Sequence, residues 1–205
     1  MTSLHLKDFV NGYSLEVVPN SAAKIESFAE ILPKQTRVYV AHLEKENIET
    51  MVKTAKRLSD EGFTVMPHIP ARIVKDKATL SDWISMYQNE AGVTEALLLA
   101  GGSAKPVGDY DSSIQLIESG LFDKAGFKRL HIAGHPEGSK DIDPDGGFKN
   151  VSKALSWKQE YSNRTDASMA IATQFCFDAD IVRTWANKIK EDGIDIPIHI
   201  GVAGP

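Results

Sequence analysis

A chain of 205 residues with 42% hydrophobic and 25% charged side chains has the composition of a globular domain with enough apolar material for one good core. Its formal net charge of −5 and the lack of a basic run with interleaved aromatics argue against a nucleic-acid partner, and no apolar stretch approaches the roughly 20 residues of a membrane helix. The single cysteine, Cys176, excludes an internal disulfide and a multi-cysteine zinc site, and Met1 to Asp8 carries no long apolar segment, so the expectation is a cytoplasmic protein.

Strand-like and helix-like runs alternate along the chain. Ser14 to Pro19 (S-L-E-V-V-P) predicts the first strand. Ser21 is expected to cap a helix that carries Ala22, Ile25, Phe28, Ala29 and Leu32 on one face and stops at Pro33. Arg37 to His42 predicts the second strand, followed by a helix with Ile48, Met51, Val52, Ala55 and Leu58 on one side, ending at Gly62. Phe63 to Ile69 is the third strand, and Asp82 to Asn89 lies in the next helix. Glu95 to Ala100 (E-A-L-L-L-A) reads as a strand covered on both faces, as in parallel sheets. A helix is expected from Ser112 through Leu121. Arg129 to Gly134 predicts the fifth strand, running into a loop with His135, Glu137, Ser139 and Lys140. Phe148 to Tyr161 is helical, Ala167 to Phe175 is the sixth strand, and Ile181, Val182, Trp185 and Ile189 mark a helix closed by Gly193. Pro197 to Val202 is the seventh strand.

A repeated βα unit of about 30 residues predicts a parallel sheet with right-handed crossovers. A doubly wound sheet would carry a glycine-rich turn after its first strand, and Val18-Pro19-Asn20-Ser21 has none. Polar residues instead recur at strand ends: His42, His68, Ser103, His135 and Gln174. That ring suits the C-terminal face of a (β/α)8 TIM-type barrel. Seven βα strands are visible, so the expectation is a single barrel domain over residues 1–205 that lacks its last part, unless the Phe9-Val10 segment covers the gap.

Glu16 interrupts an apolar strand. Burial of such a carboxylate predicts a raised pKa and a proton donor near neutrality; the plain alternative is a strand-end glutamate facing water or paired to a cation. His68 and His42 are each compatible with structural hydrogen bonding, and no tight metal-ligand spacing surrounds them. Gly101-Gly102-Ser103 could bring backbone N–H groups to an anion, or could be only a turn. Gln174 presents an amide suited to a heterocycle edge, and Phe175 and Phe177 could flank a planar ligand or belong to the core. Asp178 or Asp180 is expected to cap the following helix, and Cys176 to be an inert buried thiol.

Taken together, L-E-V-V-P (15–19), P-H-I (67–69), L-L-L-A-G-G (97–102), A-G-H-P-E-G (133–138), T-Q-F-C-F-D (173–178) and P-I-H-I-G-V (197–202) resemble, in order and spacing, the methylenetetrahydrofolate reductase family. The resemblance covers most of the chain from Leu15 onward. It implies a (β/α)8 barrel that binds FAD at its C-terminal face, with NAD(P)H as possible electron donor. The activity it implies is interconversion of 5,10-methylenetetrahydrofolate and 5-methyltetrahydrofolate in one-carbon metabolism. Glu16 matches the family's general acid. Gln174 matches the glutamine that holds folate, and Phe175 and Gly102 stand beside it on the substrate side. His68 and Lys158 match positions on the flavin side, and Gly101, His135 and Ser139 stand at flavin-side positions, with His135 expected to touch ligand and Glu137 to fix its loop.

The chain departs from the family pattern at Ala41, Ala100, Gly102, His135 and Ser139, so the resemblance supports folate handling more strongly than flavin handling. A folate-binding barrel working without flavin, as a reductase or methyl-transfer accessory protein, is the alternative, and a non-enzymatic binding module is the third reading. The implied partner is a folate, not a nucleic acid or a membrane, and a homo-oligomer is compatible with it.

Overall fold

The computed structural model describes residues 10–203. Met1 to Phe9 and the last two residues lie outside that range, and with them the reading of Phe9. Seven strands form one parallel sheet in sequential order: β1 Ser14–Val17, β2 Arg37–Val40, β3 Thr64–Pro70, β4 Glu95–Leu99, β5 Arg129–Gly134, β6 Ser168–Thr173 and β7 Ile198–His199. Between them run α1 Pro19–Ala22, α2 Ile48–Asp60, α3 Lys77–Ala91, α4 Ser113–Glu118, α5 Leu121–Lys124, α6 Lys149–Ser162 and α7 Ala179–Glu191.

The strands alternate with period two. Outward residues (Val38 and Val40 on β2, Ile69 on β3, Leu98 on β4, Leu130 and Ile132 on β5, Ile171 on β6) join Met51, Leu58, Leu80, Tyr87, Leu116 and Phe122 of the helices in one core. The other face carries Arg37, Tyr39, Met66, His68, Glu95, Leu97, Arg129 and His131. Tyr39 Oη lies 2.6 Å from His131 Nδ1. Their strands are three places apart, about 14 Å in a flat sheet. The contact therefore requires a curled sheet, a half-barrel with these residues inside it. At the N-terminal end of the interior, Glu95 accepts from Arg37 Nε at 2.7 Å and lies 3.5 Å from Arg129 Nε. Burial pushes the Tyr39 hydroxyl up to about 12, and burial with neighbouring positive groups pushes His131 down to about 3, so both are neutral at pH 7.

All seven expected strands are present, β7 much shorter than Pro197 to Val202 suggests. Among the described residues β1 and β7 are the edges of the sheet, and no eighth strand joins them. The expected helix from Ser21 to Leu32 is not continuous. It splits into α1 and a 3₁₀ turn, Phe28–Glu30, and Ser21 lies inside α1 rather than capping it. The cause is tertiary. The Arg57 guanidinium donates to the carbonyls of Ala22, Ile25 and Glu26, and the Glu61 carboxylate accepts from the Phe28 and Ala29 amides. Backbone groups that a helix would pair internally are held by these two side chains. The expected Ser112-to-Leu121 helix likewise breaks into α4 and α5 at Gly120, whose φ of +68° leaves the helical region. Asp178 caps α7 by accepting from the Asp180 and Ile181 amides, while Ile181, expected on the buried face, is exposed.

Gly134 ends β5 on the outward side. A Cβ there would stand 2.4 Å from Ile171 Cγ2 and 3.2 Å from Trp185 Cη2. Gly134→Ala is expected to cost about 1–3 kcal/mol through overpacking, read as a lower urea midpoint. An unchanged midpoint would show that α7 can move aside.

Candidate functional site

The C-terminal ends of the strands carry the polar residues that the core does not use. Glu16 is one residue from the end of β1 and faces the sheet interior beside Tyr39. Its Oε2 lies 3.2 Å from His68 Nε2 of β3, with side-chain exposures of 58% for Glu16 and 11% for His68. The contact is not an aligned hydrogen bond, and His68 Nε2 has no hydrogen-bond partner among the described residues. The pair overturns the raised pKa expected for Glu16. Contact with His68 holds the carboxyl below its usual range and outweighs partial burial, so the free protein carries a carboxylate here. His68, expected on the flavin side, is the direct neighbour of Glu16.

A second group of polar residues surrounds Arg72, just past β3. Its guanidinium is buried and donates from Nε to Asp111 Oδ1 at 2.7 Å, and from Nη1 to Asp141 Oδ2 at 2.7 Å and to the Ser103 carbonyl at 3.1 Å. Asp111 and Ser103 belong to the loop after β4, Asp141 to the loop after β5. Of these residues only Ser103 is marked in the sequence by its place at a strand end. The one available signal was an arginine inside the otherwise apolar P-H-I-P-A-R-I-V run. Gly101 takes a φ of +98°, and a Cβ there would come 2.9 Å from Pro70 Cβ, so the turn out of β4 requires glycine. Gly102 is exposed with open space around it, and the Ser103 Oγ is buried without a partner.

Lys158 of α6 is 7% exposed. Burial alone pushes its ammonium down to about 8; no carboxylate offsets the cost. Its charge reaches His135, at the mouth of β5, where burial and Lys158 lower the imidazole pKa while Asp141 acts the other way. His135, Lys158, Asp141 and Arg72 thus form one continuous neighbourhood across the ends of β3 to β5. A lysine in a buried position without an ion-pair partner among the described residues, and a buried hydroxyl without a hydrogen-bond partner there, fit a bound anion such as the diphosphate of a dinucleotide. Those are the residues here that would hold FAD by that part.

The other expected site residues are placed as follows. Gln174 follows β6, exposed, with its backbone amide donating to the Gly134 carbonyl at 2.9 Å. Phe175 and Phe177 are exposed rather than in the core, 49% and 83%, with ring centroids 5.8 Å apart. Cys176 is buried and its thiol is pushed up, as expected of an inert thiol. Ser139 is half-buried, and its carbonyl accepts from the Ile142 and Asp143 amides. Glu137, expected to fix its loop, is exposed. Asp143 fixes it, accepting from the Asn150 and Val151 amides at the start of α6. The sheet interior adds one contact that the sequence did not suggest: His131 and His199 rings lie edge to face, centroids 5.0 Å apart.

No family model matches the chain. Among solved structures it is similar to a β-mannanase of Thermomonospora fusca in complex with mannotriose, at 12% identity and a TM-score of 0.51 over 92% of this chain and 68% of that one. At that identity the likeness concerns the fold alone, a barrel-like α/β arrangement. A metagenomic short-chain oxidoreductase in complex with NADP matches at 12% identity with a TM-score of only 0.37, over 95% of this chain and 98% of that one, and carries no weight. No described helix is long and apolar enough to cross a membrane.

Proposed function

We propose that the chain is the barrel of a flavin-linked oxidoreductase, similar to methylenetetrahydrofolate reductase, that interconverts 5,10-methylenetetrahydrofolate and 5-methyltetrahydrofolate. The observation that carries this reading is positional. The six segments that resemble the family fall at the C-terminal ends of β1, β3, β4, β5, β6 and β7, on one rim. That rim is where barrel enzymes of unrelated chemistry build their sites. On this reading the native architecture is a (β/α)8 barrel.

Glu16 is the proton donor in this scheme. Reduction of methylenetetrahydrofolate requires a C–N bond of its five-membered ring to open, with the electron pair returning to nitrogen, and protonation of that nitrogen assists the step. In the free protein Glu16 is ionised beside His68. A pterin lying over the rim would cover the exposed carboxyl, and desolvation favours its neutral form. The carboxyl then takes a proton from solvent and passes it to the ring nitrogen. Gln174, with two donors and one acceptor, holds the pterin amide edge, and the exposed Phe175 supplies an apolar face to the ring. Lys158 and Ser103 would hold the cofactor's diphosphate, and the flavin, once reduced by a donor such as NAD(P)H, would supply the hydride.

Two measurements on the purified chain test the reading. Titration with 5-methyltetrahydrofolate by calorimetry is expected to show binding, and the visible spectrum after addition of FAD is expected to show bound flavin. Folate binding without flavin would replace this reading by the flavin-independent one. Binding of neither ligand would remove both and leave a non-enzymatic module.

A further inference from the structure

Arg72 has no role in the proton chemistry, yet it is the most heavily engaged charged side chain at the rim. The two loops it touches are built differently. The loop after β4 is also tied down by its backbone. Val107 N donates to the Arg72 carbonyl at 2.9 Å and Asp109 N to the Lys75 carbonyl at 2.8 Å. Between them the chain passes so close that a Cβ on Gly108 would sit 1.7 Å from the Lys75 carbonyl oxygen. The loop after β5 closes mostly on itself. Gly138 N donates to the His135 carbonyl, Ile142 N and Asp143 N to the Ser139 carbonyl, and Gly146 N to the Asp143 carbonyl. Among the hydrogen bonds of the described residues, Asp141 to Arg72 is the one that ties this loop to Arg72 and, through its bonds to Asp111 and the Ser103 carbonyl, to the loop after β4.

We propose that Arg72 is a positioning residue that sets the spacing between the two loops, and with it the spacing between the Gly101–Ser103 turn and the His135–Lys158 pair. The proposal rests on the cofactor reading above. A ligand with an extended anionic group, a nucleoside diphosphate or a dinucleotide, would lie across that gap. One guanidinium can make this tie because its donors point in fixed, separate directions; Nε and Nη1 serve Asp111, Asp141 and the Ser103 carbonyl at once. A lysine ammonium at the same place is a single point charge and cannot hold both carboxylates in those orientations. The two aspartates are about half exposed, so the tie lies at the edge of solvent and can be released without opening the core. Asp141 also acts electrostatically on His135, which links the position of the tie to the imidazole beside Lys158.

The test uses the whole chain and three variants, the third, Arg72→Ala, for chemical rescue. Arg72→Lys removes the fork, and Asp141→Asn releases only the loop after β5 while leaving Arg72, Asp111 and the Ser103 carbonyl in place. In these two, hydrogen exchange is expected to speed up by about tenfold across residues 135–148, with the β4 and β5 amides unchanged. ADP and FAD, titrated separately, are expected to bind about tenfold more weakly, with KM raised and kcat kept at saturation. Arg72→Ala should recover affinity when millimolar guanidinium is added, which a lost core contact would not do. Unchanged exchange of 135–148 in Asp141→Asn, or unchanged ADP affinity in both Arg72→Lys and Asp141→Asn, overturns the proposal. If the wild-type chain binds neither ADP nor FAD, the cofactor reading falls and the ligand part of this proposal with it. The exchange pattern then decides by itself whether Arg72 holds the loops.

Discussion

Glu16→Gln is expected to leave the fold and folate binding intact and to lower turnover of methylenetetrahydrofolate by about two to four orders of magnitude. The fold should survive because the side chain is more than half exposed and its one polar contact is the His68 imidazole. Glutamine keeps the shape and a carbonyl oxygen toward Nε2 but cannot donate a carboxyl proton. The loss should therefore appear in kcat and kcat/KM together, with 5-methyltetrahydrofolate bound at least as tightly as in the wild type, because glutamine needs no proton on binding. Proton uptake gives a second readout. Covering an ionised Glu16 should draw about one proton from solvent at neutral pH, seen as a dependence of the binding enthalpy on the buffer's ionisation heat. Glu16→Gln should abolish that dependence. Full turnover in the variant would remove Glu16 from the chemistry. Buffer-independent binding in the wild type would show that Glu16 stays a carboxylate in the complex.

Lys158→Met is expected to make the protein more stable and a poorer binder of anions. A fall of the ammonium pKa from 10.5 to about 8 corresponds to a cost of about 3 kcal/mol at neutral pH. Because the folded pKa is the lower one, the unfolded chain binds the extra proton. The cost is complete below about pH 8 and disappears as pH rises toward 10.5. Wild-type stability should accordingly climb across that window, while the methionine variant stays level. Below pH 8 the variant should gain on the order of 2 kcal/mol, a rise in Tm of about 5 °C for a chain of this size. Affinity for ADP or FAD should fall about tenfold or more, as a charge-assisted contact is lost. Thermal melts at several pH values, paired with ADP titration, check both halves. A destabilised variant with the wild type's pH slope would mean that the ammonium is solvated and does not sit unpaired.

Much of the fold was legible before any coordinates. All seven strands were found in order because β residues alternate or run apolar in ways that helices do not, as in Glu95 to Leu99. The α2 and α7 faces were found through 3-and-4 spacing. What failed was continuity. Ala22, Ile25, Phe28 and Leu32 have helical spacing, yet Arg57 and Glu61, more than 25 residues away, take the backbone groups a helix would use. Local pattern carries no information about such a competitor.

The candidate site divides in the same way. Its residue types and its place on the rim could be read from strand-end chemistry, and Glu16 was singled out because a carboxylate in an apolar run is costly. Its protonation state was misjudged, since that depends on which side chain stands opposite, and β3 delivers His68 at 3.2 Å. Arg72 with Asp111 and Asp141 was passed over because its partners lie 39 and 69 residues along the chain.

The sequence by itself determined the periodicity, hence the parallel α/β class, and which polar groups arrive at strand ends. Those follow from backbone geometry and side-chain spacing, which act over a few residues. Only the tertiary structure decided how far the sheet curls, which carboxylate is paired, which lysine is left alone and which loops are tied together. Each of these is set by contacts between strands and loops distant in sequence, where a shift of a few ångströms changes the electrostatics and the hydrogen bonding.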